Sequence, residues 1–507
     1  MDLIHLHTTD NVAVATKDIV AGSAVAVDGQ RLVAQQDILV MHKMAVKPIS
    51  QGDAIIKYGQ IIGFASRDIL IGEHVHIDNV QMGDAKKDFA FCQNAQITQY
   101  VSPENQEYFL GYRRANGKVG TRNYISIVTS VNCSATVAKG IAAHFKYSGV
   151  LDDFPNVDGV LAFCHESGCG MSSQGEGFDT LQRTLIGYLQ HANVVGALLI
   201  GLGCEIMQVQ RVVEQIPNAD PQLFKSFTIQ DSGGTQASIK KGIEYIEAML
   251  PMANQCQREA APASELTLAL QCGGSDAFSG ITANPALGAA ADLLVKQGGT
   301  VIYSETPEIF GAEHLLTQRA RSASVAEKII ERIKWWENYT QRHGFELNNN
   351  PTPGNKTGGI TTIMEKSLGA QAKSGTSALE DVYLYAQPIK QKGLVLMDSP
   401  GFDPVSVTGQ IASGANVICF TTGRGSAFGS KPAPCIKLAS NTALYKKMQD
   451  DIDVNCGAIL DEELSVAQCG QIIFERILAA ASGENTKSEQ LGYGDNEFAP
   501  WKIGAVI

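Results

Sequence analysis

Four cysteines of this 507-residue chain sit where apolar runs end in turns: Cys133 in TSVNC, Cys169 in VLAFCHESGCGM, Cys204 in IGLGCE and Cys272 in QCGGSD. Soft thiolates beside an imidazole suit iron or zinc, and His165 lies four residues before Cys169. Sharing one kind of position, the four thiols read together as metal ligands. Cys164, inside its apolar run, reads instead as a small buried hydrophobe. His165 and Glu205 occupy the same turns and are the acid–base candidates. GLGCEI lacks the third glycine of a dinucleotide fingerprint, which disfavours a nicotinamide cofactor.

Other turns are suited to anions. Lys356 lies in NPTPGNKTGG and Arg424 in TTGRG. A guanidinium grips a carboxylate bidentately, whereas an ammonium acts as a point charge or, once deprotonated, as a base. Neither turn matches a nucleotide-binding P-loop. Ser275 and Asp276 follow Cys272, placed either to cap a helix or to meet a hydroxylated substrate. Glu305 and Glu308 in SETPEIFG are paired carboxylates, and Arg113, Arg114 and Arg122 flank ANGKVG. Near the start, His5, His7, Thr8, Asp10 and Asn11 crowd together, and His74 and His76 alternate on one strand face. Of these, Arg113, Arg122, Arg424, Ser275, Asp276, His7, Asp10 and Asn11 are the expected substrate contacts.

In open α/β sheets, ligands sit beyond the carboxyl ends of the strands, so such turns require a parallel sheet beneath them. Tyr124–Val131, Gly159–Phe163 and Val195–Leu202 form one apolar series. Leu266–Leu270, Thr300–Ser304, Gly393–Met397 and Val417–Thr421 form a second, beyond a Pro-bearing break at Gln257–Ser264. Continuous apolar runs predict strands buried on both faces. Ser324–Arg342 sets Ile329, Ile330, Ile333 and Trp336 at helical spacing. Val12–Ala15, Ala24–Val27, Asp53–Tyr58 and Glu73–Ile77 are instead short β-prone runs between turn residues, predicting a small all-β module. The expected organisation is an all-β domain over 1–82, a linker over 83–107, and α/β domains over 108–260 and 261–507.

Composition bounds the function. Forty basic against 52 acidic residues give a net charge of −12, which argues against a general nucleic-acid binder. With 44% hydrophobic and 18% charged residues the chain can bury large cores. Met1–Asp10 shows no export leader. The longest apolar stretch, Val194–Cys204, contains three glycines and falls short of the roughly 18–20 residues that span a bilayer. Eleven cysteines, an odd number thinly spread, suggest reduced thiols and a cytoplasmic protein with no membrane partner.

Taken together, HLHTTDNVAVA, GEHVHIDN, YRRANGKVGTRN, HESGCG, IGLGCE, QCGGSDAFSGITANP, SETPEIFGAEHLL, NPTPGNKTGGITT and TTGRGSAFG resemble the altronate/galactarate dehydratase family almost end to end. The resemblance implies a β-clip (SAF-type) N-terminal domain, a body whose last part is a Rossmann-like variant, a homodimer joined through residues 108–260, and a small-molecule sugar acid as substrate. It also implies ferrous iron or manganese as cofactor, with an iron–sulfur cluster as the alternative. SETPEIFGAEHLL and GGITTIMEKSLG lie closer to the altronate branch, implying D-altronate converted to 2-dehydro-3-deoxy-D-gluconate. Galactarate dehydration, a sulfo-lyase reaction on a hydroxy sulfonate, and a non-catalytic sugar-acid binding protein are the alternatives.

A proton α to a carboxylate is weakly acidic, because its removal adds charge to an anion. A divalent cation and fixed positive charge lower that barrier. His165 is the expected base with Lys356 second, and Glu205 the expected aid to the leaving hydroxyl. His165 cannot be base and metal ligand at once.

Overall fold

Strand alternation governs the N-terminal part: in Ala24–Val27 the two valines are buried and the two alanines exposed. In the computed structural model, which describes residues 2–83, 88–461 and 464–506, nine short strands build this region. They are β1 (Leu3–Ile4), β2 (Val12–Ala15), β3 (Ala24–Val27), β4 (Gln30–Val33), β5 (Lys43–Ala45), β6 (Ala54–Lys57), β7 (Gln60–Ala65), β8 (His74–Val75) and β9 (Val80–Gln81). One antiparallel sheet runs β1-β2-β5-β8 and another β6-β7-β9, with β3-β4 a separate hairpin. The register of β5 on β8 is Lys43 opposite Val75 and Met44 opposite His74.

Residues 84–87 of the expected linker lie outside the described residues. From Asp88 onward the segment is irregular but tied to the body through backbone bonds, Cys92 to Thr317, Asn94 to Gln318 and Val101 to Lys296. β10 (Tyr108–Arg113) then pairs with β11 (Val119–Gly120) on one side.

Two parallel sheets follow. β12 (Tyr124–Thr129), β13 (Gly159–Phe163), β14 (Val194–Gly201) and β15 (Phe224–Thr228) are ordered β13-β12-β14-β15, and every residue of β12 is buried. Helices Ala135–Tyr147 and Thr235–Ala253 cover one face through Ile141, Phe145, Ile246 and Met249. β16 (Glu259–Pro262) runs through the expected break at Gln257–Ser264 and pairs antiparallel with β10. Four residues ending in proline carry too little periodicity to announce a strand, so this correction comes from pairing alone.

The larger sheet comprises β17 (Thr267–Cys272), β18 (Thr300–Tyr303), β19 (Leu379–Tyr383), β20 (Gly393–Met397), β21 (Val417–Thr422), β22 (Cys435–Ala439) and β23 (Val454–Asn455). Its order is β19-β20-β18-β17-β21-β22-β23, all parallel. The chain builds outward from β17 to one side and then crosses to β21 on the other. The switch point therefore falls between β17 and β21, where doubly wound sheets open a crevice. Helix Glu176–Leu189 of the smaller sheet packs on helix Asp403–Ala412 of the larger one, so a single core spans both. A Cβ on Gly187 would lie 2.3 Å from the Ala412 carbonyl oxygen, so that crossing requires glycine. The β domain docks on this body through Ile55 and Ile62 against Ala312 and Leu368.

Candidate active site

At the switch point the loops after β17 and β21 are stitched together: Gly423 and Arg424 both donate their backbone N–H to the Gly274 carbonyl, at 3.1 and 2.9 Å. Asp276 is buried and accepts from Ser279, Ser440 and Asn441. Burial pushes its carboxyl up, while these donors pull it back down. It thus fixes the two turns and has little capacity left for a substrate. Arg424 is exposed, and no side chain among the described residues pairs with it. Segment Pro353–Thr357, a one-turn helix begun by a capping box from Thr352 and Asn355, lies on the same loops. Asn355 donates to the Ser275 carbonyl at 2.8 Å.

Facing this segment is an imidazole cluster of the β domain. The antiparallel register that sets Met44 opposite His74 brings His42 opposite His76. His42 Nδ1 lies 2.9 Å from His74 Nε2, and the ligand atoms of His42, His74 and His76 all fall within 4.8 Å of one another. The other ring nitrogen of His42 donates to the Thr357 carbonyl at 3.1 Å, leaving Nδ1 with its lone pair toward the cluster. His76 Nδ1 is buried without a hydrogen-bond partner, an atom the fold leaves unsatisfied. Burial lowers all three rings, His74 to about 4 and His76 to about 3, so they are neutral at pH 7 as metal ligation demands. Three neutral imidazoles leave further coordination positions open, the pattern of a catalytic ion. His42, His76, Pro353, Lys356 and Thr357 line an open cleft of about 450 Å³. Lys356 makes no side-chain contact with a carboxylate among the described residues.

Beneath the cluster the two domains are joined by ions. Lys43 donates to Glu365 at 2.9 Å and to the Gly359 carbonyl at 2.6 Å, and Lys57 reaches the other Glu365 oxygen at 2.9 Å. All three side chains are buried. Burial alone would raise the Glu365 carboxyl, but the two ammonium groups hold it far below the usual carboxylate range.

A second set, Cys272, Glu305 and Glu308, also meets within 4.8 Å. Here cations of the chain already occupy the space: Lys373 lies 2.9 Å from Cys272 and 3.2 Å from Glu305, and Lys366 lies 2.7 Å from Glu308. Burial pushes the Cys272 thiol to about 12, and burial with the neighbouring Glu308 pushes Glu305 to about 8. This is a closed internal ion network. The expectation that Cys272 joins the other three cysteines at one ion is corrected: it ends a strand of the larger sheet, while Cys133, Cys169 and Cys204 are exposed thiols of the smaller one.

Several other expected site residues have partners that the fold supplies. His165 is buried, its Nε2 bonded to the Thr129 carbonyl at 2.9 Å and its Nδ1 accepting from Ser167 N–H at 3.1 Å, so neither nitrogen is free to take a substrate proton. Glu205 accepts from Ser130 Oγ at 2.7 Å and Gly203 N–H at 2.6 Å and braces its own turn. Arg122 grips Glu489 through two nitrogens, at 2.7 and 2.8 Å. Arg113 pairs with Glu259 across β10 and β16. Asp10 caps the Tyr58–Gly59 turn between β6 and β7, and Asn11 bridges to Ala54 and Ile56. His7 is exposed and bonds Thr9. Ser275 is buried beside Asp276 and lends its carbonyl to Asn355. The sequence reading missed His42, Lys43 and Glu365; the His-x-His spacing of 74 and 76 was the available signal, and only strand pairing adds the third ring.

Comparison with known proteins identifies the family. Residues 1–83 match the altronate/galactarate dehydratase SAF domain. Residues 111–254 match the D-galactarate dehydratase/altronate hydrolase second domain, and residues 263–506 the D-galactarate/altronate dehydratase C-terminal domain. An altronate dehydratase of Bacillus subtilis (strain 168) is 36% identical over 99% of both chains, and one of Escherichia coli (strain K12) is 35% identical over the whole of both. A galactarate dehydratase (L-threo-forming) of Escherichia coli (strain K12) is 38% identical over 96% of this chain and 94% of its own. Three consecutive domain matches and full-length relatives leave one conclusion: the chain belongs to the altronate/galactarate dehydratase family.

Proposed function

We propose that the chain is a hydro-lyase that converts D-altronate to 2-dehydro-3-deoxy-D-gluconate in the cleft between the β domain and the Pro353–Thr357 segment. The observation carrying this reading is that three clustered imidazoles, one buried and two half-buried, adjoin an open cleft that His42, His76 and Lys356 line. His42, His74 and His76 would hold a divalent ion, which would supply Lewis acidity toward a sugar acid. Imidazole ligands suit iron better than manganese, which favours Fe2+ of the two. The chain's residues do the rest. Arg424, on the adjoining turn, binds the carboxylate. Lys356 takes the C2 proton and, once protonated, sets a positive charge beside the negative charge that develops there. The C3 hydroxyl then leaves as water with the proton Lys356 has taken, and the enol tautomerises to the keto acid. Eleven free thiols support a reducing, cytoplasmic setting.

Anaerobic assay of hexonates and hexarates with ferrous iron or manganese tests the reading. Altronate should turn over; Lys356→Ala should retain the metal and lose at least about a hundredfold in kcat, the scale of a general base. Undiminished turnover in Lys356→Ala removes its role. A sugar-acid binding protein without catalysis would show no turnover at all. A galactarate substrate is the second reading, because a relative of comparable identity bears that name; the same assay ranks the two.

A further inference from the structure

The cleft beside the imidazole cluster has a polar end and an apolar one. His42, His76, Lys356 and Thr357 are gathered at the first, His42 bonded to the Thr357 carbonyl and clustered with His76. The remaining lining residues, Leu39, Ile77 and Pro353, are all apolar. Leu39 is 55% exposed and Ile77 51%, so neither holds a core together. Large apolar groups left in water at a cleft mark a groove that a ligand covers.

Both side chains stand on pinned turns. Leu39 opens a turn closed by the His42 N–H on the Leu39 carbonyl at 3.0 Å, and the Val40 N–H donates to Asp18 at 2.8 Å. Met41 in that turn takes φ +74, rare for a side chain of its size. Its carbonyl abuts Gly359 of the body so closely that a Cβ on the glycine would collide with it. Ile77 follows His76 in a second turn. There the Asn79 side chain accepts from the His76 N–H at 2.9 Å and donates to the His74 carbonyl at 2.8 Å. The turns that aim the imidazoles therefore also fix Leu39 and Ile77 relative to them.

We infer that Leu39 and Ile77 set the substrate class: they admit a sugar acid with one carboxylate and refuse one with a carboxylate at each end. The inference rests on the reading of this cleft as the dehydration site and adds which end of the substrate meets which wall. The reacting carboxylate belongs with Lys356, Arg424 and the imidazoles, which leaves the apolar wall to the far end of a six-carbon acid. Among the described residues lining the cleft Lys356 is the only cation, and it is engaged at the reacting carbons. A terminal hydroxymethyl group loses little at such a wall, because its carbon packs on the side chains while its oxygen stays in water. A second carboxylate would shed water with no partner to replace it, and an unpaired charge is costly to desolvate. Leu39 and Ile77 thus discriminate by withholding a partner from the wrong acid.

The test compares D-altronate with the hexarate of the same configuration at C2 to C5, on the full chain loaded anaerobically with ferrous iron. The hexonate should be preferred at least about tenfold in kcat/KM, the scale of a charge left without its partner. Leu39→Arg and Ile77→Arg should each move that ratio toward the hexarate by about tenfold or more, mainly through KM and with iron content unchanged. Leu39→Met and Ile77→Val should leave it alone. In the unmutated protein the C6 methyl ester of the hexarate should be handled like the hexonate, a readout independent of variant folding. Calorimetric titration of both acids into iron-loaded protein, unmutated and Lys356→Ala, separates this inference from the reading beneath it. A binding preference that the arginines shift, with no acid turned over, supports the inference and refutes the dehydratase reading. Turnover with equal or reversed preference, a ratio the arginines leave unmoved, or an ester handled like the free hexarate overturns the inference and leaves the dehydratase reading standing. Neither binding nor turnover of either acid overturns both.

Discussion

His42 shows how a ligand is made by its partner rather than by its type. Its Nε2 is committed to the Thr357 carbonyl, so Nδ1 is the nitrogen left for an ion. Outer partners of this kind typically contribute a factor of ten to a hundred in metal affinity. His42→Asn should therefore weaken ferrous-iron binding by at least that range, read by equilibrium dialysis with metal analysis, while the far-ultraviolet spectrum stays unchanged. Residue types were legible in the sequence; their employers were not. Lys356 and Arg424 stood out as cations among glycines and have no ion-pair partner among the described residues. Arg122, Asp10 and Glu205 stood out equally and are claimed by Glu489, the Tyr58–Gly59 turn and Ser130. Polar groups of either kind look alike until their long-range neighbours are known.

Elements carry the second level of dependence. Glu365, on helix Ile363–Gln371, receives Lys43 and Lys57 from the β domain and the Thr361 N–H and hydroxyl from its own side. Removing one partner of a buried ion set costs about 3–5 kcal/mol, because the remaining charges stay buried. Glu365→Ala should lower stability by that order in urea unfolding, and more than Glu365→Gln. The pH dependence follows from the direction of the shift. The folded carboxyl is held below its unfolded value of 4.5, so the unfolded chain binds the extra proton first. The stability from this group is complete above that value and is lost as pH falls below it; Glu365→Gln should flatten that part of the acid unfolding curve. Gly187 gives a packing test: Gly187→Ala should destabilise by about 1–3 kcal/mol, because its new methyl meets the Ala412 carbonyl. The strands were largely legible: Gly159–Phe163 and Gly393–Met397 were read with the bounds they have. Such runs announce themselves by continuous burial. β16 and the β5–β8 pairing did not, since short antiparallel strands are defined by what they pair with.

On the scale of the whole molecule, the two parallel sheets share a core through Leu181, Leu185, Val407 and Ile411. They should unfold in one transition, with coincident fluorescence and circular dichroism midpoints; two separated transitions would sink that expectation. None of the described helices is long and apolar enough to cross a membrane. We propose a homodimer, which sedimentation at micromolar concentration should show as twice the chain mass.

The proposed ion's ligands and the substrate-gripping cations come from different modules: His42, His74 and His76 from β5, β8 and the residues that flank them in the β domain, Lys356 and Arg424 from the Pro353–Thr357 segment and the 423–425 turn of the body. Reactivity and the grip on the reacting carboxylate are thereby encoded on separate stretches of chain. Replacing the 353–359 and 423–425 turns can retune which acid is accepted while the electrophile is left intact, so a lineage can change diet without reinventing its chemistry.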